Sequence, residues 1–302
     1  MIRIQAERTL KVDSSRAKGY MNSEVNNITH AMTVDVEDYF QVSAFEKIID
    51  RNDWDSLPHR VEKNTQRLLK LFDDYGYKAT FFTLGWVAER NPSLIKAIVD
   101  NGHELASHGY GHMRATEQSQ EEFRQDVDRS KKLLEDMSGQ QVIGYRAPSF
   151  SINDGNRWVF DVLADLGFKY SSSTYPVKHD LYGVPHWPRF PYQLENGLTE
   201  IPLTTLKLGS RTMPMSGGGY FRLYPYFVSR MLFRKFVQAE KSPAIFYMHP
   251  WEIDPDQPRQ QGISAKTAFR HYLNLSRHES RFKRLLADFK WGRMDKAFGI
   301  SI

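Results

Sequence analysis

Short apolar runs alternate with amphipathic segments from residue 30 onward, and this alternation constrains the fold more than any other feature of the chain. Apolar runs bounded by turn residues are typical of buried strands, whereas apolar positions three or four residues apart indicate helices. Regular alternation of the two predicts right-handed crossovers and a parallel sheet, open or closed into a barrel, with about seven strands. The strand candidates are HAMTVDVED, KATFFTLG, HELASH, VIGYRAPSF, FKYSSS, LTEIPLTTL and SPAIFYMHP.

Helix signals lie between these strand candidates. Residues 61–75 place apolar side chains on one helical face, and Gly76 ends the pattern. Ser119 and Glu122 form a capping-box pattern before a helix that ends at Gly139. Further helices are predicted from Pro92, over 153–166, over 225–239 and in the tail 264–294, which we expect to pack as one or two helices on the outside.

The composition excludes several classes of protein. The 302 residues include no cysteine, which excludes disulfide scaffolds, thiolate zinc sites and thiol nucleophiles. The net charge is +5 without a dominant basic stripe, so we expect no nucleic-acid partner. Residues 1–27 are polar and poorly periodic, which predicts a flexible extension. No run of residues resembles a signal peptide or a membrane span, so we expect a soluble, cytoplasmic protein.

The reactive side chains collect at the carboxyl ends of the strand candidates. In parallel α/β folds this edge carries the active site, because the loops that leave the strands converge there. We therefore expect these side chains to lie in one site. They are Asp35, Glu37 and Asp38 after the first strand, His108 after the third, Arg146 after the fourth and His249 after the last.

The histidines and acids of this edge have the spacing of a metal site. His108 and His112 are four residues apart, which places both rings on one helical face. Asp35 and Glu37 point the same way on an extended chain, so one carboxylate can bind a metal while the other acts as a base. Two imidazoles and one carboxylate leave a fourth position open, where bound water is acidified. Two unrelated surface imidazoles beside a solvated strand end are the alternative interpretation.

Arg146 and His249 complete the candidate set. A buried guanidinium at a strand end pairs with a carboxylate, and such a pair holds a catalytic aspartate ionised and oriented. His249 follows four apolar residues and precedes Pro-Trp. It is either a satisfied core histidine or, beside an activated water, a general acid.

Four motifs together resemble the polysaccharide deacetylases of the NodB-homology carbohydrate-esterase family. TVDVEDYF, SHGYGH, GYRAPSF and IFYMHPWE stand in the order of that family's motifs, and the resemblance covers about residues 30–255. It implies a distorted (β/α) barrel of about seven parallel strands and removal of N- or O-acetyl groups from sugars with a divalent metal, Zn²⁺ being our first choice.

The resemblance also implies a role for each matching residue. Asp35 corresponds to the base that acts on metal-bound water, and Arg146 orients that base. His108 and His112 correspond to metal ligands, and His249 corresponds to the acid that protonates the departing amine.

Two positions depart from the family pattern. Val36 stands where the family has a second aspartate that binds metal, so Glu37 is our first choice for the acidic ligand and Asp38 the second. Ser149 replaces the tyrosine of the third motif, although its backbone N–H is still suited to an oxyanion hole. The residues predicted to contact substrate are Pro148, Ser149 and Trp251.

Longer stretches resemble one subgroup of the family, the deacetylases of exosortase (PEP-CTERM) and exopolysaccharide gene clusters. They are DVEDYFQVSAFE, GGGYFRLYPY and the basic tail 264–294. This resemblance implies an N-acetylated exopolysaccharide or its lipid-linked precursor as substrate. The predicted organisation is a flexible extension (1–27), a deacetylase barrel (28–255) and a C-terminal helical extension (256–302).

Three other functional interpretations stay open from the sequence. The valine at position 36 leaves room for a metal-independent, ring-opening amidohydrolase on the same barrel. A catalytically dead carbohydrate-binding protein is the alternative from another class. The segment YFVSRMLFRKFVQ, with Phe227, Met231 and Phe236, suggests peripheral contact with the inner membrane or, alternatively, a barrel helix with a solvated basic face.

Overall fold

The structure, a computed structural model, describes residues 27–179, 183–209 and 211–301. The predicted flexible extension therefore lies, apart from its last residue, outside the described residues. Within them, no helix has both the length and the apolar character that a membrane span requires.

A mostly parallel sheet of nine strands forms the centre of the fold and curls into a half-barrel. Eight of the strands follow in the order β10-β1-β2-β3-β4-β5-β7-β6, and the ninth, β11, pairs with β1. All neighbours are parallel except β6 and β7. The predicted parallel barrel sheet is confirmed. The strands are β1 (Thr29–Val36), β2 (Thr80–Thr83), β3 (Glu104–Ser107), β4 (Gly144–Tyr145), β5 (Tyr170–Ser171), β6 (Tyr192–Gln193), β7 (Thr199–Glu200), β10 (Ile245–Met248) and β11 (Lys290–Gly292), with a separate hairpin of β8 (Thr205–Leu208) and β9 (Arg211–Pro214).

Helices follow the strands at the positions that the apolar periodicity predicts. Ser119 and Glu122 form both bonds of the capping box, and Gly139 ends that helix in the left-handed conformation with φ 65°. The α-helices are α1 (Val61–Asp74), α2 (Gly85–Arg90), α3 (Pro92–Asp100), α4 (Gln120–Ser138), α5 (Trp158–Asp165), α6 (Gly218–Leu223), α7 (Tyr226–Glu240), α8 (Ala265–Tyr272), α9 (Leu275–Asp288) and α10 (Met294–Ala297).

The C-terminal part of the chain contains the predicted helices α8 and α9 and also a strand that the sequence did not indicate. β11 pairs in parallel with the first residues of β1, from Thr29 opposite Lys290 to Ala31 opposite Gly292. The backbone N–H of Met294 then donates to Oγ1 of Thr80 over 2.7 Å. This part is thus tied directly to the sheet, and the domain boundary at residue 255 stays a prediction.

The segment around residue 217 covers the edge of β10. Gly217 bridges to Tyr247, and the Tyr247 N–H donates to the carbonyl of Ser216 over 2.7 Å. Gly217 has φ 120°, and a Cβ at this position would lie 2.2 Å from the Tyr247 carbonyl oxygen. Only glycine fits this close approach, which brings the start of α6 to the mouth of the half-barrel.

Candidate active site

The carboxyl ends of β1, β3, β4 and β10 meet at a cleft of about 650 Å³. One side of the cleft is lined by Asp35, Glu37, His108 and His112, from the first half of the chain. The other side comes from α6 and α8, which supply Tyr220, Leu223, Phe269 and Leu273. Sequence analysis did not identify this second wall. The predicted side chains that line the cleft are Asp35, Glu37, His108, His112, Ser149, His249 and Trp251.

Glu37, His108 and His112 form a buried cluster that offers three ligand atoms within 4.8 Å of one another. Nε2 of His112 lies 2.8 Å from Oε2 of Glu37. Nδ1 of His108 lies 2.8 Å from the Arg146 carbonyl, to which it donates when protonated, and this bond leaves Nε2 as the free lone pair. His112 has φ 52°, and Arg51 donates to its carbonyl over 3.2 Å. The bond from Arg51 thus stabilises a strained backbone conformation, and this conformation places the His112 imidazole in the cluster.

Two groups of this cluster, Glu37 and His108, have pKa values that suit the binding of a cation. Burial raises the pKa of Glu37, but the imidazoles of His112 and His249 outweigh that effect and lower this pKa to about 2. Burial lowers the pKa of the His108 imidazole to about 4. One ionised carboxylate and neutral imidazole nitrogens are the donor forms that a borderline divalent metal requires. The residues therefore fit a divalent metal.

Asp35 faces a different set of partners from Glu37. Its Oδ1 accepts from Nη1 of Arg146 over 2.7 Å. The same guanidinium donates to Thr33 Oγ1 over 2.9 Å and to the Ser172 carbonyl over 3.1 Å, and its carbon lies 4.0 Å from the centre of the Phe82 ring. Arg146 is fully buried, so this buried pair fixes the direction of the Asp35 carboxylate.

His249 is held by a carboxylate that sequence analysis missed. Nδ1 of His249 lies 2.8 Å from Oε1 of Glu252, and Nε2 lies 3.5 Å from Oε1 of Glu37. Burial lowers the pKa of His249, but Glu37 and Glu252 more than offset this and raise it to about 9. The signal available in the sequence was the three-residue spacing in HPWE, because Glu252 also accepts the backbone N–H of His249 over 3.1 Å.

Asp38 lies in a different environment from Glu37. Its Oδ2 accepts the backbone N–H groups of Arg60 over 2.6 Å and Val61 over 2.9 Å, and its Oδ1 accepts that of Tyr39 over 2.8 Å. These bonds satisfy the start of α1. Of the two candidate acidic ligands, the structure therefore brings Glu37 to the histidines and uses Asp38 to fix a helix terminus.

The three predicted substrate contacts have different surroundings. Ser149 lines the cleft with φ 57° and contacts the Ser43 hydroxyl, whereas Pro148 is buried in the same turn. Trp251 is 4% exposed and stacks on His249 at 5.1 Å between ring centres. Its other neighbour is His271, stacked at 4.3 Å. Two imidazole rings thus stack on the indole, which also lines the cleft.

Two family models cover most of the chain. Residues 53–171 match the polysaccharide deacetylase family, and residues 172–299 match a domain of unknown function, DUF3473. The chain therefore contains a polysaccharide deacetylase domain. The resemblance seen in the sequence is confirmed at this level, whereas membership of the exopolysaccharide subgroup stays a prediction. The deacetylase match contains His108, His112 and Arg146, whereas His249 lies within the domain of unknown function.

Several similar proteins are named as deacetylases. A peptidoglycan deacetylase of Helicobacter pylori is 32% identical over 137 residues, which are 44% of this chain and 46% of the relative. A peptidoglycan-N-acetylglucosamine deacetylase of Bacillus cereus is 32% identical over 105 residues, 35% of this chain and 47% of the relative. The chain thus spans about half the length of these curated relatives. A solved Mycobacterium smegmatis structure assigned to the polysaccharide deacetylases shares the fold, with a TM-score of 0.60, 20% identity and coverage of 91% and 90% of the two chains.

Proposed function

We propose that this protein, which contains a polysaccharide deacetylase domain, is a metal-dependent hydrolase that removes acetyl groups from N-acetylated amino sugars of a polysaccharide. The observation that carries the proposal is the Glu37–His108–His112 cluster, which lies in the same cleft as Asp35 and His249. A metal-ligand set, a separate carboxylate and a separate imidazole are the groups that amide hydrolysis needs.

The metal ligands would be Glu37, His108 and His112, and Zn²⁺ is our first choice because two imidazoles suit a borderline metal better than Mg²⁺. When bound, the ion supplies a Lewis acid that acidifies water and polarises the acetyl carbonyl. His108 is prepared for this role by its bond to the Arg146 carbonyl, which fixes the ring and its tautomer. We do not assign Asp38 as a ligand, since its oxygens already accept three backbone N–H groups.

Asp35 is the proposed base. Arg146 holds its carboxylate in one direction, which suits it to accept the proton of the attacking water. His249 is the proposed acid, and it donates a proton to the sugar nitrogen as the carbon–nitrogen bond breaks. Its Nδ1 is engaged by Glu252, which leaves Nε2 for the substrate side. The backbone N–H of Ser149 is a proposed oxyanion donor, and Pro148 and Trp251 are proposed neighbours of the sugar.

Acetate release from N-acetylated glucosamine oligomers, with elemental analysis of undepleted protein, tests the proposal. We expect about one divalent ion per chain, lost together with hydrolysis in His108→Ala. Hydrolysis without any metal would support the ring-opening amidohydrolase instead. Binding of the oligomers without acetate release would support the dead carbohydrate-binding protein.

We further propose an exopolysaccharide or its lipid-linked precursor as substrate, with the protein in the cytoplasm at the inner membrane. Phe227 and Met231 are 68% and 56% exposed on α7, and Arg234 and Lys235 share their exposed face. Phe236 is 2% exposed and packs in the core, so the interpretation of this residue as part of a membrane face was wrong.

Exposed apolar side chains continue from α7 toward the cleft. Leu223 and Phe269 are 46% and 58% exposed and line the cleft itself. We expect binding to phosphatidylglycerol vesicles and not to phosphatidylcholine vesicles, abolished in the double variant Phe227→Ser, Met231→Ser. If vesicle binding does not change in this variant, the membrane proposal is wrong and the deacetylase proposal is unaffected.

A further inference from the structure

Helix α6 is linked to the candidate acid His249 through Glu252. Arg222, near the end of α6, donates from Nε to Oε2 of Glu252 over 2.9 Å. Glu252 is the residue whose other oxygen faces Nδ1 of His249. The side chains of Arg222 and Glu252 are 4% and 0% exposed, so a buried chain of contacts runs from α6 to the catalytic edge of the cleft.

The Arg222 guanidinium is itself held in place. Nη1 donates to the carbonyl of His271 at the end of α8, and to that of Leu273 over 3.4 Å. The Arg222 carbonyl accepts from Nδ2 of Asn274 over 2.8 Å and from Nη1 of Arg281 over 2.8 Å. The carbonyl oxygens at a helix C-terminus favour a cation. Arg222 is therefore built into the junction of three helices.

The same junction also fixes the ring that lies against His249. Trp251 stacks with both His249 and His271, with interplanar angles of 18° and 16°. The carbon of the Arg222 guanidinium lies 5.1 Å from the centre of the Trp251 ring. The orientation of His249 thus depends on Glu252 through a hydrogen bond and on Trp251 through stacking, and Arg222 contacts both.

A buried carboxylate can orient an imidazole only while it stays ionised and in one place. Glu252 is fully buried, and an unpaired charge there would be strongly unfavourable. Arg222 supplies the opposite charge at hydrogen-bond distance, which lets Glu252 stay ionised, accept a hydrogen bond from Nδ1–H of His249 and direct Nε2 toward the cleft. This is the logic of a catalytic triad, in which a third group sets the tautomer and direction of the imidazole.

We propose that Arg222 is a positioning residue for His249, acting through Glu252, and that the region of unknown function, residues 172–299, thereby completes the active site. The inference rests on the proposed deacetylase function. Besides supplying His249 and one wall of the cleft, this region would then also hold the contacts that orient His249.

The first test compares two substrates whose leaving groups differ in their need for a proton. Arg222→Met keeps the aliphatic stem and removes the charge. We expect its kcat on an N-acetylated glucosamine oligomer to fall about 10- to 100-fold, since the departing amine needs general-acid help. Hydrolysis of an activated aryl acetate should fall by less than about threefold, because that leaving group departs without a proton. Equal losses on both substrates would overturn the proposal.

Two further variants separate positioning from simple destabilisation. Arg222→Lys restores the charge and should recover part of the amide rate. Arg230→Met removes another arginine–carboxylate pair of this half, that with Asp288, and should leave the amide-to-ester ratio unchanged. Glu252→Gln should lower the ratio as Arg222→Met does, and adding Arg222→Met to it should cost little more, as expected for residues that act in series. Additive losses in the double variant would contradict the inference.

A spectroscopic readout works without turnover. In protein labelled with ¹⁵N-histidine, we expect a slowly exchanging, downfield Nδ1 proton that is absent in His249→Gln and therefore belongs to His249. It should disappear or exchange rapidly in Arg222→Met, with the metal content and thermal midpoint measured on the same sample. If the parent releases no acetate but this proton still depends on Arg222, the function proposal fails and the positioning contact stands. A proton that persists in Arg222→Met overturns the positioning proposal.

Discussion

Nη1 of Arg146 donates to Oδ1 of Asp35 over 2.7 Å, while the carboxylate of Glu37, two residues further along, lies 2.8 Å from His112. Two acids at the end of one strand therefore have different partners, a guanidinium for one and imidazoles for the other. An acid paired with a guanidinium stays charged and oriented, which suits a base. An acid grouped with two imidazoles suits a metal ligand.

Because Asp35 and Glu37 have different partners, we expect their isosteric amide variants to differ in metal content. Asp35→Asn should lower acetate release about 10²–10⁴-fold and keep the metal content of the parent, since the loss of a base does not remove a ligand. Glu37→Gln should lose metal as well as rate. Elemental analysis and acetate assays on the same preparations measure both. If Asp35→Asn loses the metal and Glu37→Gln retains it, the two roles are reversed.

Asp38→Ala should destabilise the protein without emptying the metal site. Its carboxylate accepts the N–H groups of Arg60 and Val61 at the start of α1, and the loss of such a cap costs about 0.5–2 kcal/mol. Urea unfolding measures the stability, and elemental analysis of the folded protein measures the metal. Loss of metal comparable to that of Glu37→Gln would make Asp38 a ligand after all.

Removal of the Arg146 charge should damage stability and rate together. Arg146→Met leaves Asp35 buried without its partner, and breaking one side of a buried pair costs about 3–5 kcal/mol. The double variant Arg146→Met, Asp35→Asn removes both charges and should recover much of that free energy of unfolding, though not the activity. Additive losses of stability in the double variant would show that the pair does not act as a unit.

The sequence predicted the edge of the sheet at which the site lies, because strand ends are marked by local patterns. That Asp35 and Arg146 lie close together follows from their positions at this edge, since the carboxyl ends of parallel strands converge. The choice between Glu37 and Asp38 did not follow, because it depends on where Arg60 and Val61 begin a helix 22 and 23 residues later.

Local sequence patterns do not predict contacts between segments that are far apart in the chain. Glu252 could be suspected from its spacing to His249, but its partner Arg222 comes from a different helix, and no periodicity links them. The strand Lys290–Gly292 is too short to show alternation, and it forms only because the start of β1 offers backbone partners. The α6–α8 wall of the cleft was missed for the same reason.

Glu104 is the first residue of β3 and lies at the end of the sheet opposite to the candidate active site. Burial and the nearby Asp295 raise the pKa of Glu104 to about 7, although Tyr170 donates to its Oε1 over 2.8 Å. An unfolded glutamate has a pKa of about 4.3, so between these two values the folded protein holds a proton that the unfolded chain has released. The contribution of Glu104 to stability is therefore full at low pH and declines as the pH rises through about 7.

Glu104→Gln removes this dependence, because the amide does not titrate. Buried histidines make the stability of both proteins depend on pH, so the difference between parent and variant is the quantity to follow. Measured by urea unfolding from about pH 5 to about pH 8, the free energy of unfolding of the parent should fall relative to Glu104→Gln as the pH rises. Glu122→Gln is the matched control: the pKa of Glu122 is lowered by its bonds to Ser119, so its carboxylate is ionised in both states throughout this range and its effect should be constant. A constant difference for Glu104→Gln as well would mean that Glu104 is already ionised in the folded protein at about pH 5.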